Sequence, residues 1–103
     1  LVSRGAVSWL ELELEGRRPV CVITRDAAIP TLANVVVALI TTRARGIPSE
    51  VPLGPEDGLP RACVISLDNL RTVSKAQLVE PITTLGPEKL AALCRALRAA
   101  TDC

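Results

Sequence analysis

The segment Asn34 to Thr42 carries six consecutive apolar residues, Val35-Val36-Val37-Ala38-Leu39-Ile40, the longest apolar run in the chain. A run of this length, rich in β-branched residues, reads as the most strongly buried strand of a sheet. It is far short of the roughly 20 residues that a membrane-spanning helix needs. The rest of the chain must be arranged around that strand. With 103 residues, one domain spanning 1–103 is expected, able to bury roughly 60–70% of the surface its unfolded form exposes.

Shorter strand signals flank the central run. Ala6 to Leu14 is apolar with Glu11 and Glu13 interleaved. Val7 and Trp9 share one phase and Leu10, Leu12 and Leu14 the other, so a bulge or sharp bend is expected between Trp9 and Leu10. Glu15-Gly16-Arg17 is a tight connection. Pro19 to Thr24 is a second strand that opens on a proline, where a missing N–H is tolerated. Arg25 to Ala33 is a loop. Beyond the central strand come a basic turn from Arg43 to Pro48, a short strand Ser49 to Leu53 and a Pro/Gly loop to Arg61. Ala62 to Leu67 and Leu70 to Val73 are separate apolar segments. Ser74 caps a helical turn through Leu78, and Val79 to Leu85, interrupted by Pro81, reads as an edge strand. Gly86-Pro87-Glu88 carries helix-start signals, and Leu90, Leu93, Cys94 and Leu97 fall on one helical face. Several short strands and one terminal helix predict a small curled sheet or barrel with the helix packed on it.

Absences narrow the chemistry. There is no His, Phe, Tyr or Met, and Trp9 is the only aromatic residue. That excludes His-based acid–base catalysis and His-containing triads, and it disfavours a transition-metal site. One aromatic residue cannot build a proline-peptide groove or a multi-base stacking platform. The four cysteines, Cys21, Cys63, Cys94 and Cys103, form no CxxC pair. They are expected to be buried reduced thiols in a reducing cytoplasm. Mean hydropathy is +0.35, on the apolar side for a small soluble protein, which points to a covered subunit contact.

Net charge is only +1, so placement matters more than sum. Arg17-Arg18-Pro19 sets a basic pair at a strand entry, and Thr41-Thr42-Arg43 sets hydroxyls and a guanidinium at a strand exit. Antiparallel neighbours would bring such ends together. A guanidinium beside a hydroxyl can cradle a phosphodiester through its planar donor fork. Surface charge and ordinary β-branched threonines account for the same residues, and the residues alone leave both readings open.

Taken in order, the motifs are similar to those of the MazF/PemK family of toxin endoribonucleases. They are Arg4-Gly5 with Val7 and Trp9, Gly16-Arg17-Arg18-Pro19-Val20, Ile40-Thr41-Thr42, Arg45-Gly46-Ile47-Pro48-Ser49-Glu50-Val51 and Gly58-Leu59-Pro60-Arg61. Leu67-Asp68-Asn69-Leu70-Arg71-Thr72-Val73-Ser74-Lys75 resembles the central motif, and Ile82-Thr83-Thr84-Leu85-Gly86-Pro87 the run into the last helix. The resemblance implies a mainly β fold with α, an SH3-like small β-barrel of the CcdB/PemK/MazF type with a C-terminal helix, assembled as a homodimer. It implies cleavage of single-stranded RNA, whether mRNA, rRNA or tRNA, without metal or other cofactor, by attack of the ribose 2′-OH. It also implies a cognate antitoxin that blocks the RNA channel. By motif, the catalytic positions are Arg18 and Thr41, with Arg17, Arg43, Asn69 and Arg71 along the RNA. The sequence departs from the pattern between the first two strands, where Glu13 to Arg17 replaces a longer Gly-rich loop that borders the channel in relatives. The alternative is a non-enzymatic toxin or RNA-binding barrel on the same fold, as in CcdB. Those relatives rely on a Trp-bearing C-terminus, and this chain ends Ala-Ala-Thr-Asp-Cys.

Overall fold

The computed structural model describes residues 2–103. Its frame is one antiparallel sheet of six strands, curled into a half-barrel, with a single C-terminal helix. The strands are β1 (Ala6–Leu12), β2 (Gly16–Val22), β3 (Asn34–Thr41), β4 (Glu50–Leu53), β5 (Cys63–Ser74) and β6 (Leu78–Thr84), and the helix α1 is Pro87–Thr101. Their order across the sheet is β4-β5-β3-β2-β1-β6. Among the described residues, no helix is long and apolar enough to cross a membrane.

The central apolar run is β3, as expected, and the reason for its double-sided hydrophobicity is plain in the packing. Ala38 and Ile40 face a cluster with Val7, Cys21, Ile65, Leu67 and the helix residues Leu93 and Ala96. Val35, Val37 and Leu39 face a second cluster with Leu10, Val20, Val22 and Val73. Curling brings the second face around on itself, while α1 covers the first. Full burial of one such leucine contributes about 2 kcal/mol.

The bend expected near Trp9 is present, because the β1–β6 register shifts between Trp9 and Leu10 and again between Val7 and Ser8. Ser8 Oγ donates to Glu80 O at 2.9 Å there. β6 forms one sheet edge, where Pro81 is tolerated. Ser74 caps a 3-10 turn, its Oγ accepting the Ala76 N–H at 3.2 Å. Gly5 has φ +85°, and a Cβ there would lie 2.5 Å from Leu90 Cδ2, so only glycine lets α1 approach the start of β1.

Two expectations are corrected. The two apolar segments expected over Ala62–Leu67 and Leu70–Val73 are one twelve-residue strand, β5, which starts at Cys63, because β3 pairs with both halves across a bulge. Cys94 and Cys103 are exposed rather than buried. The helix turns Leu93 and Ala96 to the sheet, which leaves Cys94 on the rim of the apolar stripe.

Candidate functional site

Alternation along β2 sends Arg17 and Arg18 to opposite faces. β2 pairs with β3 only through Val20–Leu39, Cys21–Ala38 and Val22–Val37. Pro19, next in line, has no N–H with which to prolong a ladder. Continued two residues further, the same register would set Arg18 level with Thr41. Instead the strands part there, and the gap opens into a cleft of about 480 Å³ lined by Arg18, Thr41, Arg43, Asn69 and Arg71. Five of the six residues singled out from the sequence therefore meet at one place.

The sixth does not. Arg17 lies on the other face, where its Nη1 is 3.2 Å from Glu80 Oε1 and its Nε 3.8 Å from Glu11 Oε1. Strand periodicity alone separates it from Arg18, so a basic doublet on a strand cannot act as one patch.

Each cleft residue is placed by a local cause. Thr41 ends β3, and its Oγ1 accepts the Arg43 N–H at 3.2 Å, which leaves the hydroxyl proton free to donate. The basic turn after it is drawn in by Glu50, whose Oε1 accepts the N–H groups of Arg45 and Gly46, both at 3.0 Å. That turn delivers Arg45 to the cleft as well as Arg43. Asn69 sits in the β5 bulge. Leu39 pairs with Ser66 and Ala38 with Leu70, so Leu67, Asp68 and Asn69 have no β3 partner. Asn69 Nδ2 donates to Ser66 Oγ at 2.8 Å, and Ser49 Oγ donates to Asp68 Oδ2. The Asn69 amide oxygen is thereby left to accept from a ligand.

Four guanidinium groups (Arg18, Arg43, Arg45, Arg71) thus face two carboxylates, Glu50 and Asp68, both already holding protein hydrogen bonds. The surplus is positive, and a hydroxyl and an amide stand among the cations. Such a lining suits a phosphodiester with a base beside it. Arg45 and Asp68 were not singled out from the sequence. Arg45 could have been, since it lies two residues from Arg43 in the same basic turn, whereas Asp68 enters through the bulge.

On the other side of the Thr41–Thr42 segment lies an apolar cavity of about 320 Å³ walled by Trp9, Pro19, Ile40, Leu59 and Ile82. Cys63 borders it, its thiol held neutral by burial and by nearby Asp57. Burial pushes the Cys21 thiol to about 12. Neither is a nucleophile at neutral pH.

The family model of PemK-like, MazF-like toxins of type II toxin–antitoxin systems matches residues 3–101. The chain is 46% identical to a probable endoribonuclease MazF5 of Mycobacterium tuberculosis, over 100% of this chain and 95% of that one. It is 39% identical to an endoribonuclease MazF3 of the same species, over 87% of each. Among solved structures it resembles the M. tuberculosis toxin MazF-mt6, with a TM-score of 0.86 at 36% identity, covering 94% of this chain and 96% of that one. It also resembles a mycobacterial endoribonuclease in complex with its cognate antitoxin, with a TM-score of 0.88 at 28% identity, covering 99% and 96%.

Proposed function

For a chain that belongs to the PemK-like, MazF-like toxin family of type II toxin–antitoxin systems, we propose an endoribonuclease toxin acting on single-stranded RNA through the Arg18–Thr41 cleft. One observation carries the placement of the site. Arg18 and Thr41, from two different strands, converge with Arg43, Asn69 and Arg71 on one cleft.

In the reaction we assign to it, the ribose 2′-oxygen attacks the adjacent phosphorus and the bond from phosphorus to the 5′-oxygen breaks. The products are a 2′,3′-cyclic phosphate and a free 5′-hydroxyl. A base takes the 2′-proton, and the leaving oxygen regains one from Arg18 or water. The guanidinium of Arg18 presents a planar donor fork and a positive charge, so its main work is to hold the extra negative charge of the pentavalent phosphorane. Thr41 donates a second hydrogen bond to that charge. Arg43 and Arg71 hold flanking phosphates, and Asn69 offers its amide to a base edge. No step is assigned to a metal, in keeping with a sequence that has no His and no CxxC pair.

Incubating the pure protein with a long single-stranded RNA in EDTA tests this. Cleavage to fragments with 2′,3′-cyclic phosphate ends is expected. Intact RNA, or activity that returns only with a divalent ion, refutes the mechanism, and binding without cleavage favours a non-enzymatic toxin.

The partner of such a toxin is a cognate antitoxin, as in the related mycobacterial complex. The same reading makes the protein a homodimer, in line with its apolar composition and two open sheet edges. Sedimentation should give twice the chain mass at micromolar concentration, and a monomer there refutes it.

A further inference from the structure

The short turn between β1 and β2 reaches a cleft arginine, Arg71, with one side chain. Glu13, Leu14 and Glu15 join Leu12 to Gly16, and the two Glu15 carboxylate oxygens lie 3.4 and 3.5 Å from Arg71 Nη1. Arg71 stands across the sheet on β5 and lines the cleft with Arg18 and Thr41.

This acid differs from the other two nearby. Glu50 is engaged by backbone N–H groups and Asp68 by the Ser49 hydroxyl, so both serve the fold. Glu15 instead holds a cation that faces the cleft. Among the described residues, Arg71 is the one cleft arginine with a carboxylate in ion-pairing range; Arg18, Arg43 and Arg45 have none.

We infer that Glu15 is a counter-ion for Arg71 that RNA phosphate displaces, and that this exchange sets the affinity of the cleft. The inference rests on reading the cleft as the RNA track. Carboxylate and phosphate compete for the same guanidinium fork, and each repels the other. Glu15 occupies only Nη1 of Arg71, and a phosphate that takes that edge turns Glu15 away. The pair can yield, because its side chains are 39% and 50% exposed and exposed ion pairs are weak. A three-residue turn closed by Gly16, at φ +78°, has little reach, so rotation of the Glu15 side chain makes the exchange. Glu15 acts through Arg71 and is a positioning residue.

The test uses a labelled single-stranded RNA with 2′-O-methyl riboses, which cannot supply the attacking hydroxyl. Its binding is followed by anisotropy over a salt series for the wild type, Glu15→Gln, Arg71→Gln and the double variant. Glu15→Gln should tighten Kd about two- to fivefold at low salt, the range that exposed pairs span. The log–log salt slope should steepen, because the internal pair that the wild type must break on binding is itself weakened by salt and the variant lacks it. In the Arg71→Gln background the same substitution should change Kd less than about 1.5-fold, as expected when the pair energy is already lost. With cleavable RNA, the gain should appear in KM rather than kcat.

Unchanged or weaker binding by Glu15→Gln overturns the counter-ion role, and so does equal tightening with and without Arg71. A wild type that binds while Glu15→Gln is silent overturns this inference alone. A wild type that neither binds nor cleaves single-stranded RNA overturns the RNA reading and this inference with it.

Discussion

Replacing Arg18 with lysine separates charge from geometry. Arg18 projects into the cleft from the last β2 residues before the β2–β3 ladder forms, and among the described residues it has no carboxylate partner. Its guanidinium can meet two equatorial oxygens of a phosphorane with parallel N–H donors, and an ammonium cannot. Lysine therefore keeps the attraction for ground-state RNA and loses the fork that the transition state uses. Removing one preorganised donor from such a site costs about 3–4 kcal/mol, or 10²–10³ in rate. Arg18→Lys should thus cleave nearly as slowly as Arg18→Ala while binding RNA better than it does. Thr41→Val, which keeps the β-branched shape and deletes the hydroxyl, should lose a similar factor. Arg17→Ala is the internal control: one residue away but on the opposite face, it should cut the rate less than tenfold. The assay is single-turnover cleavage of a defined single-stranded RNA, with thermal unfolding alongside. A half-buried surface change shifts stability by less than about 0.5 kcal/mol, so Tm should move by no more than about 4 °C. Near wild-type cleavage by Arg18→Lys would refute the bidentate argument and leave charge alone as the requirement.

Two further predictions concern the frame that holds the cleft. Gly5→Ala combines a left-handed φ of +85° with a contact 2.5 Å from Leu90 Cδ2, so it should destabilise by about 1–3 kcal/mol; a Tm within about 2 °C of wild type would refute the clash. The Cys21 thiol is raised by burial from 9.0 to about 12, so the folded state favours the neutral form. Its contribution is fully present below pH 9 and is lost as pH rises towards 12, at up to about 1.4 kcal/mol per pH unit. Denaturant titrations of wild type and Cys21→Ala over that window should show the steeper loss in the wild type, and parallel curves would refute it.

Much of the frame was determined by the sequence itself, because the signals are local. The doubly apolar run of β3, the proline and acid at the start of α1, the Ser74 cap and the phase switch at Trp9 all act through nearest neighbours. Alternation along β2 already contained the separation of Arg17 from Arg18, although the family resemblance put both along the RNA. The tertiary structure decided what depends on partners distant in the chain. Pairing of β3 with both halves of β5 fused two apolar segments into one strand and pushed Asp68 and Asn69 out as a bulge. The direction from which the sheet meets α1 chose Ala96 over Cys94 as the buried position. The parting of β2 and β3 beyond Val20–Leu39 opened the cleft, and the curl of the sheet laid Glu15 against Arg71. Such contacts depend on register and curvature, which are properties of the whole sheet and are encoded in no single segment of it.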